Sequence, residues 1–183
     1  MMYNTRTVMP AKLHAEASHL VGIKSNPKTR GRRPAMHIVR NLMEMKKVQG
    51  VISVPPTALV LDALRAFAEH KISSVVVMDG GIPVGIYTKT DYALKGEIAG
   101  RSALAPIKDV MSTNVKVIRP GADMFDCAEV MYEDKVTHLV VVDGPELREE
   151  VVGVVSVKDI LAALVVDFGR VRSDRFGADL TRT

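Results

Sequence analysis

Gly85-Ile86-Tyr87-Thr88-Lys89-Thr90-Asp91 and Gly153-Val154-Val155-Ser156-Val157-Lys158-Asp159 are two versions of one pattern: a glycine-led apolar strand, a hydroxyl residue, then an acid that opens a helix. The glycines stand 68 positions apart, and at that spacing Thr88 falls on Ser156 and Asp91 on Asp159. Upstream, a spacing of 64 pairs Pro56 with Pro120, Ala58 with Ala122, Asp62 with Asp126, Lys71 with Lys135, Val76 with Val140 and Asp79 with Asp143. The two spacings require an insertion between Asp143 and Gly153, where Gly144-Pro145-Glu146-Leu147-Arg148-Glu149-Glu150 makes a longer polar turn than Gly80-Gly81. Earlier still, Leu42 pairs with Val110 and Met43 with Met111, again at 68. Periodicity, turns and polar residues recur together, which marks an internal repeat.

Around this pair the chain reads as strand, helix, strand, strand, helix, twice over. The first strand is Val51-Ile52-Ser53-Val54, stopped by Pro55-Pro56; its copy is Val115-Lys116-Val117-Ile118, stopped at Pro120-Gly121. In the helix that follows, Val60, Ala63, Leu64, Phe67 and Ala68 have the spacing of one buried stripe, matched by Met124, Cys127, Ala128, Met131 and Tyr132. Cys127 is therefore expected on the core face as a structural thiol. Residues 75–78 with 84–87, and 139–142 with 151–155, are near-continuous β-branched runs, the mark of sheets covered on both faces. Helices over 90–95 and 158–166 close the units. A short helix over 37–46, with Ile38, Leu42 and Met45 on one side, precedes the first unit, and residues 107–111 are its copy.

The 183 residues are 47% hydrophobic but only 4% aromatic, so the core is aliphatic. Units of about 55 to 65 residues are marginal alone, and two copies are expected to share a core. The net charge of +4 is uneven: residues 1–35 hold seven basic residues against Glu16 alone, and residues 167–183 four arginines against three aspartates. The stretch between is net acidic by three charges, unlike the basic face of a duplex binder. Punctuated by Pro10, Pro27, Gly31 and Pro34, the arm 1–35 reads as a mobile leader. Its cluster from Lys28 to Arg33 suits an anionic partner such as a nucleic acid, and its acid-poor character also fits an organelle transit peptide. One cysteine excludes an internal disulfide framework and a cysteine zinc cluster. No apolar run approaches the roughly 20 residues of a membrane span, so a soluble, reducing, cytoplasmic setting is expected. The histidines are scattered, no nucleophile is flanked by a base, and neither a P-loop nor a Gly-x-Gly-x-x-Gly is present. Neither catalytic residues nor a metal site is expected.

The glycine-led strand, the Thr/Ser-x-x-Asp ending of both repeats and the aliphatic strand before the second turn resemble the paired cystathionine β-synthase (CBS) domains, over about residues 37–168. Asp91-Tyr92-Ala93, Gly100-Arg101-Ser102, Val110-Met111-Ser112 and His138-Leu139-Val140-Val141-Val142-Asp143 are similar to the small bacterial proteins made of little besides one CBS pair. The resemblance implies an α/β (α+β) fold of two β-α-β-β-α repeats with pseudo-twofold symmetry. It divides the chain into an arm at 1–35, repeats at 36–100 and 101–168, and a tail at 169–183. It further implies a non-enzymatic regulatory module that binds AMP, ADP, ATP, NAD(H) or S-adenosylmethionine between the repeats, forms a homodimer and signals to a regulated protein. The ligand is regulatory, with no obligatory cofactor and no membrane partner.

By that resemblance Asp91 and Asp159 accept hydrogen bonds from ribose hydroxyls, and Thr88, Thr90 and Ser156 meet ribose or phosphate oxygens. Lys89, Lys158 and His138 would face the phosphates near the pseudo-twofold axis. The adenine slot would be lined by Val51, Val54 and Ile86 in one copy, and by Val115, Ile118 and Val154 in the other. Each acid has an alternative role as a helix cap, worth about 0.5–2 kcal/mol, and the lysines an alternative as solvated charges. Two departures leave nucleotide choice open. Lys89-Thr90 and Leu94 stand around Asp91, and Thr137 before His138, where the similar proteins tend to carry arginine, the bidentate phosphate donor.

Overall fold

The computed structural model describes residues 38–46, 50–97, 100, 102–144 and 150–166; the basic arm, the tail and most of the 144–150 turn lie outside these. The first repeat contains β1 (Ser53–Val54), α2 (Val60–Glu69), β2 (Ser74–Asp79) and β3 (Ile82–Thr88), preceded by α1 (Val39–Glu44). The second contains β4 (Val117–Ile118), α3 (Met124–Glu133), β5 (His138–Asp143) and β6 (Glu150–Ser156), preceded by a single 3-10 turn, Ile107–Asp109. After β3 a helical turn, Lys89–Asp91, widens into π-type turns over Tyr92–Glu97, whereas β6 runs into a regular helix over 157–166. The strand and helix order expected from the repeat is the observed one.

Each repeat forms a three-stranded sheet, β1-β2-β3 and β4-β5-β6, with a parallel outer pair and an antiparallel hairpin. Registers match residue for residue: Ser53 faces Val76 as Val117 faces Val140, and Val77 faces Gly85 as Val141 faces Gly153. Each hairpin is interrupted at the same point, after Val77 and after Val141. Lys71 and Lys135, one repeat apart, both take positive φ just past a helix end, at 54° and 55°. A left-handed residue there reverses the chain and lets it enter the central strand.

The middle of each central strand is buried, Val75 to Val77 and Leu139 to Val142, because one face packs on helices and the other on the opposite sheet. Val76 and Val140 meet across this seam with Val115 and Val142. The helix stripe is narrower than the periodicity suggests. Val60, Ala63, Ala66 and Phe67 are buried in α2, and Met124, Cys127 and Met131 in α3, while Ala68, Ala128 and Tyr132 point outward, Tyr132 with 86% of its surface exposed. A ten-residue helix lying on one small sheet buries positions i, i+3 and i+7, and i+8 rotates onto its flank. Cys127 is buried, and that burial, ahead of nearby Asp126 and Asp123, pushes its thiol up to about 12, as befits a structural cysteine.

The leading segments cross over. Val39 and Leu42 of α1 pack in the core of the second repeat with Cys127, Leu139 and Ile160, while Ile107 and Val110 pack in the core of the first with Val60, Val75 and Tyr87. Met45, expected on the buried side of α1, is exposed. Matching hydrogen bonds fasten the crossing: the Val39 amide donates to the Ala122 carbonyl at 2.9 Å and the Ile107 amide to the Ala58 carbonyl at 2.7 Å. Ile86 and Ser112 exchange two backbone bonds of 2.9 Å, so the second leader runs along the edge of the first sheet. Both motif glycines are explained by the crossing. A Cβ on Gly85 would collide with Met111, and one on Gly153 would lie 2.6 Å from the Met43 methyl. The methionine of each leader needs the glycine of the other repeat.

Candidate functional site

Because the leaders cross, each Thr/Ser-x-x-Asp motif is completed by the other repeat. A cleft of about 580 Å³ lies between Ser156, Lys158 and Asp159 on one side and the first leader with the 69–74 connection on the other. A smaller cleft of about 210 Å³ joins Thr88, Thr90 and Asp91 to residues 112–116 and 135–138. Val51 therefore shares a wall with Val154, and Ile86 with Val115, a correction to the within-copy slots expected from the sequence. Val54 and Ile118 reach neither cleft, because strand alternation turns them into the first and second cores. Lys89 lies in the larger cleft beside Lys158, away from its neighbours Thr88 and Thr90, with its ammonium 5.9 Å from the Phe67 ring centroid.

The two carboxylates use one oxygen alike. Asp91 Oδ2 accepts from the Thr88 amide at 3.0 Å and hydroxyl at 2.6 Å, and Asp159 Oδ2 from the Ser156 amide at 2.7 Å and hydroxyl at 2.8 Å. Both are helix-cap bonds, as are those by which Asp62 and Asp126 accept the Leu59 and Asp123 amides. Capping takes one oxygen of each acid, so it decides nothing about the other. Asp91 Oδ1 is filled by Lys95 Nζ at 2.7 Å and the Ser112 hydroxyl at 2.9 Å. Asp159 Oδ1 accepts no hydrogen bond among the described residues; Lys46 Nζ, at 3.0 Å, joins the crowd on Oδ2 and also donates to the Val154 carbonyl at 2.7 Å.

Lys46, Lys95 and Ser112 escaped the sequence reading. Two signals were available: Lys95 stands four residues after Asp91, the spacing of a helical ion pair, and the repeat places Lys46 opposite Asn114, a polar residue lining the smaller cleft. His138 borders both clefts, where Ser73 Oγ lies 2.9 Å from Nε2 and Thr137 Oγ1 2.9 Å from Nδ1. Burial, then the charge of Lys46, holds its pKa below the ordinary 6.5, so the ring is neutral at neutral pH and donates from one nitrogen while accepting at the other.

Asp91 supplies a pH-dependent contribution to stability. Burial alone raises a carboxyl, but the hydrogen bonds from Lys95, Thr88 and Ser112 outweigh it and hold this one below the ordinary 3.8. A depressed folded-state value stabilises the fold above the unfolded-state value and loses that contribution as the pH falls through the folded one. Urea unfolding from pH 2 to 6 should give a steeper loss below about pH 4 for wild type than for Asp91→Asn. Parallel curves for the two proteins would show that the Lys95 and Ser112 bonds carry no net weight.

No helix among the described residues is long and apolar enough to cross a membrane. The family model for the CBS domain matches residues 39–94 and 107–166. The CBS domain-containing protein YhcV of Bacillus subtilis (strain 168) is 26% identical over 110 residues, covering 60% of this chain and 76% of that protein. The structure of a putative signal-transduction protein with CBS domains from Burkholderia ambifaria MC40-6 superposes with a TM-score of 0.65 at 27% identity, over 72% of this chain and 96% of that one. The CBS domain pair of protein MJ0100, in complex with methylthioadenosine and S-adenosyl-L-methionine, shares the fold with a TM-score of 0.62 at 22% identity, over 72% and 98%. Two family matches, one on each sheet with its leader and closing turns, cover most of the chain and coincide with the repeat, and the protein belongs to the CBS domain family as a tandem pair.

Proposed function

We propose that the chain is a non-catalytic regulatory module whose larger cleft binds an adenosine-containing ligand, AMP, ADP, ATP, NAD(H) or S-adenosylmethionine, and that binding biases a partner protein or an oligomer. The observation that carries this reading is Oδ1 of Asp159, which accepts no hydrogen bond among the described residues and is a strong acceptor for a ribose hydroxyl, at a cleft of about 580 Å³. That volume falls within the roughly 300–1,000 Å³ of small-molecule sites, and the Asp91 cleft at about 210 Å³ falls below it. Val51, Ile52, Ile72 and Val154 give the larger cleft the apolar wall an adenine ring needs, and Ser156, Lys158, Lys89 and His138 its polar end. That the MJ0100 pair holds two adenosine compounds in the same fold supports the ligand class. The homodimer belongs to the same proposal. The 157–166 helix buries Ile160 and Ala163 and exposes Leu161 and Val165, 54% and 71%, as an apolar face for a second copy.

Thermal unfolding against AMP, ADP, ATP, NAD, NADH and S-adenosylmethionine tests the reading. A ligand at about 100 times its dissociation constant adds roughly 2.7 kcal/mol, a clear rise in Tm. Asp159→Ala should abolish the shift and Asp91→Ala retain most of it. If no ligand moves the midpoint and the purified protein carries no nucleotide, a ligand-free dimerisation scaffold replaces the sensor.

A further inference from the structure

We propose that the outward face of α3 is the docking site of the chain's own basic arm, engaged through Lys28, Arg30, Arg32 and Arg33. α3 is two-sided. Beside its buried stripe of Met124, Cys127 and Met131, a second stripe of Phe125, Ala128 and Tyr132 faces outward at helical spacing, with Phe125 45% and Tyr132 86% exposed. Asp126, Glu129 and Glu133 run alongside it at the same spacing, and no basic residue lies between Met124 and Glu133. These acids sit where helix physics disfavours them. Glu129 and Glu133 are four apart, where like charges repel, and Glu133 ends the helix, where the dipole favours a cation. Both are exposed, and neither has an ion pair among the described residues. In α2 the place of Glu129 is held by Arg65, which pairs with Asp62 at 3.6 Å, so the unbroken acidic row is particular to the second repeat. An approaching cation relieves both conflicts. Guanidinium groups suit the face best, because they pair with carboxylates and stack on aromatic rings.

The backbone brings such cations to this helix. Followed backward, the Arg40 amide donates to the Pro120 carbonyl, the Val39 amide to the Ala122 carbonyl, and Ile38 bridges Asp123, the N-cap of α3, in antiparallel sense. The first repeat shows where that course leads. There the Val60 amide donates to the Ala105 carbonyl at 3.0 Å and the Leu61 amide to the Ala103 carbonyl at 2.8 Å, so the chain before Pro106 lies over the first turn of α2. In the 68-residue spacing of the repeat, Ala103 and Ala105 correspond to Ala35 and His37, directly after the basic cluster. Arg33 is five residues before Ile38, a reach of about 17 Å, and Tyr132 is nine residues beyond Asp123, about 14 Å of helix. The cluster can therefore span the whole acidic row. A docked arm is a basic segment withheld from other anions, nucleic acid among them.

A nitroxide attached at Thr29→Cys of the isotope-labelled full chain tests the docking by nuclear magnetic resonance, since Cys127, the natural cysteine, is buried. Amides of Phe125 to Glu133 should lose most of their intensity, and should regain it at about 1 M salt, where the screening length is about 3 Å. Reversing the arm (Lys28→Glu, Arg30→Glu, Arg32→Glu and Arg33→Glu together) or the helix (Glu129→Arg with Glu133→Arg) should each abolish the loss. Combining the two reversals in one chain should restore it, a rescue that a merely structural role of either set does not produce. Should a reversed chain fold poorly, the salt dependence of the wild-type sequence still decides. Full intensity along α3 at low salt, or a loss centred on another element, overturns the docking. So does a DNA duplex that binds the arm while α3 keeps its full intensity in the free protein. Labelled chains without nitroxide, mixed with unlabelled chains that carry it, should keep their α3 signals; a loss there assigns the face to the arm of a second copy and overturns self-docking.

Discussion

Leu42→Ala is expected to destabilise the protein by about 2–5 kcal/mol, with the damage centred in the other repeat. Leu42 is only 2% exposed and packs with Val39 against Ile118, Met124, Leu139 and Val155, all residues of the second sheet and its helix. Truncation removes apolar contacts and leaves a cavity, because a sheet fastened by hydrogen bonds on both sides relaxes little. Native-state hydrogen exchange locates the effect: amides of β5 and β6 should lose protection before those of β2 and β3. Ile107→Ala is the mirror experiment and should loosen β2 and β3 first, since Ile107 belongs to the first core. Loss of protection in the sheet nearer in sequence, for either variant, would sink the crossed arrangement.

Val76→Asp is expected to remove the folded state. Val76 is fully buried at the seam between the sheets, among Val115, Val140 and Val142, with partly buried Val51, Met78, Val117, Val151 and Val154 around them. An ionised carboxylate among these aliphatic side chains costs several kcal/mol, and protonation only exchanges that cost for an unsatisfied polar group. Against a total stability of about 5–15 kcal/mol for a domain of ordinary size, little is left. The cost strikes both sheets together, so circular dichroism should show loss of strand signal at 25 °C rather than partial unfolding. Val76→Ala, a milder loss at the same position, should fold with a lowered Tm. A Val76→Asp protein that melted within a few degrees of wild type would mean that the sheets do not share a dry seam.

These two sites mark the boundary between what could and could not be read without coordinates. Val76 was legible: its β-branched run, its partner Val140 one repeat later and the shared-core argument put both on covered strands. Cys127 was legible for the same reason, since helical spacing alone places it on the core face. Leu42 was legible as buried but not as to where, because periodicity reports that a side chain faces a core and never which of two similar cores it is. The outward turn of Ala128 and Tyr132 was missed on different grounds. A helical repeat gives the direction of the apolar stripe, but its width depends on how much sheet lies beneath it.

In the site the division falls between the local and the distant partners of each carboxylate. The Thr/Ser-x-x-Asp spacing by itself determines the cap, because residues three apart at a helix start meet whatever surrounds them, and Oδ2 of both acids is engaged in that way. The remaining partners come from both near and far: Lys95, on Asp91 Oδ1, is one helical turn away, while Ser112 and Lys46 are distant in sequence. Ser112 is 21 positions from Asp91, and Lys46, which joins the capping bonds on Asp159 Oδ2, is 113 positions from it, in a segment that the crossing of the leaders carries to the opposite repeat. From the sequence alone came the repeat, the strand and helix order, the family resemblance and the local capping geometry, all consequences of contacts between near neighbours. Lys95, one turn after Asp91 with Ala163 in its place in the second repeat, is the local difference. Which cleft has room, and that Ser112 meets Asp91 while Lys46 meets Asp159, were decided by the tertiary structure, because a local motif does not determine which distant segment packing delivers to it.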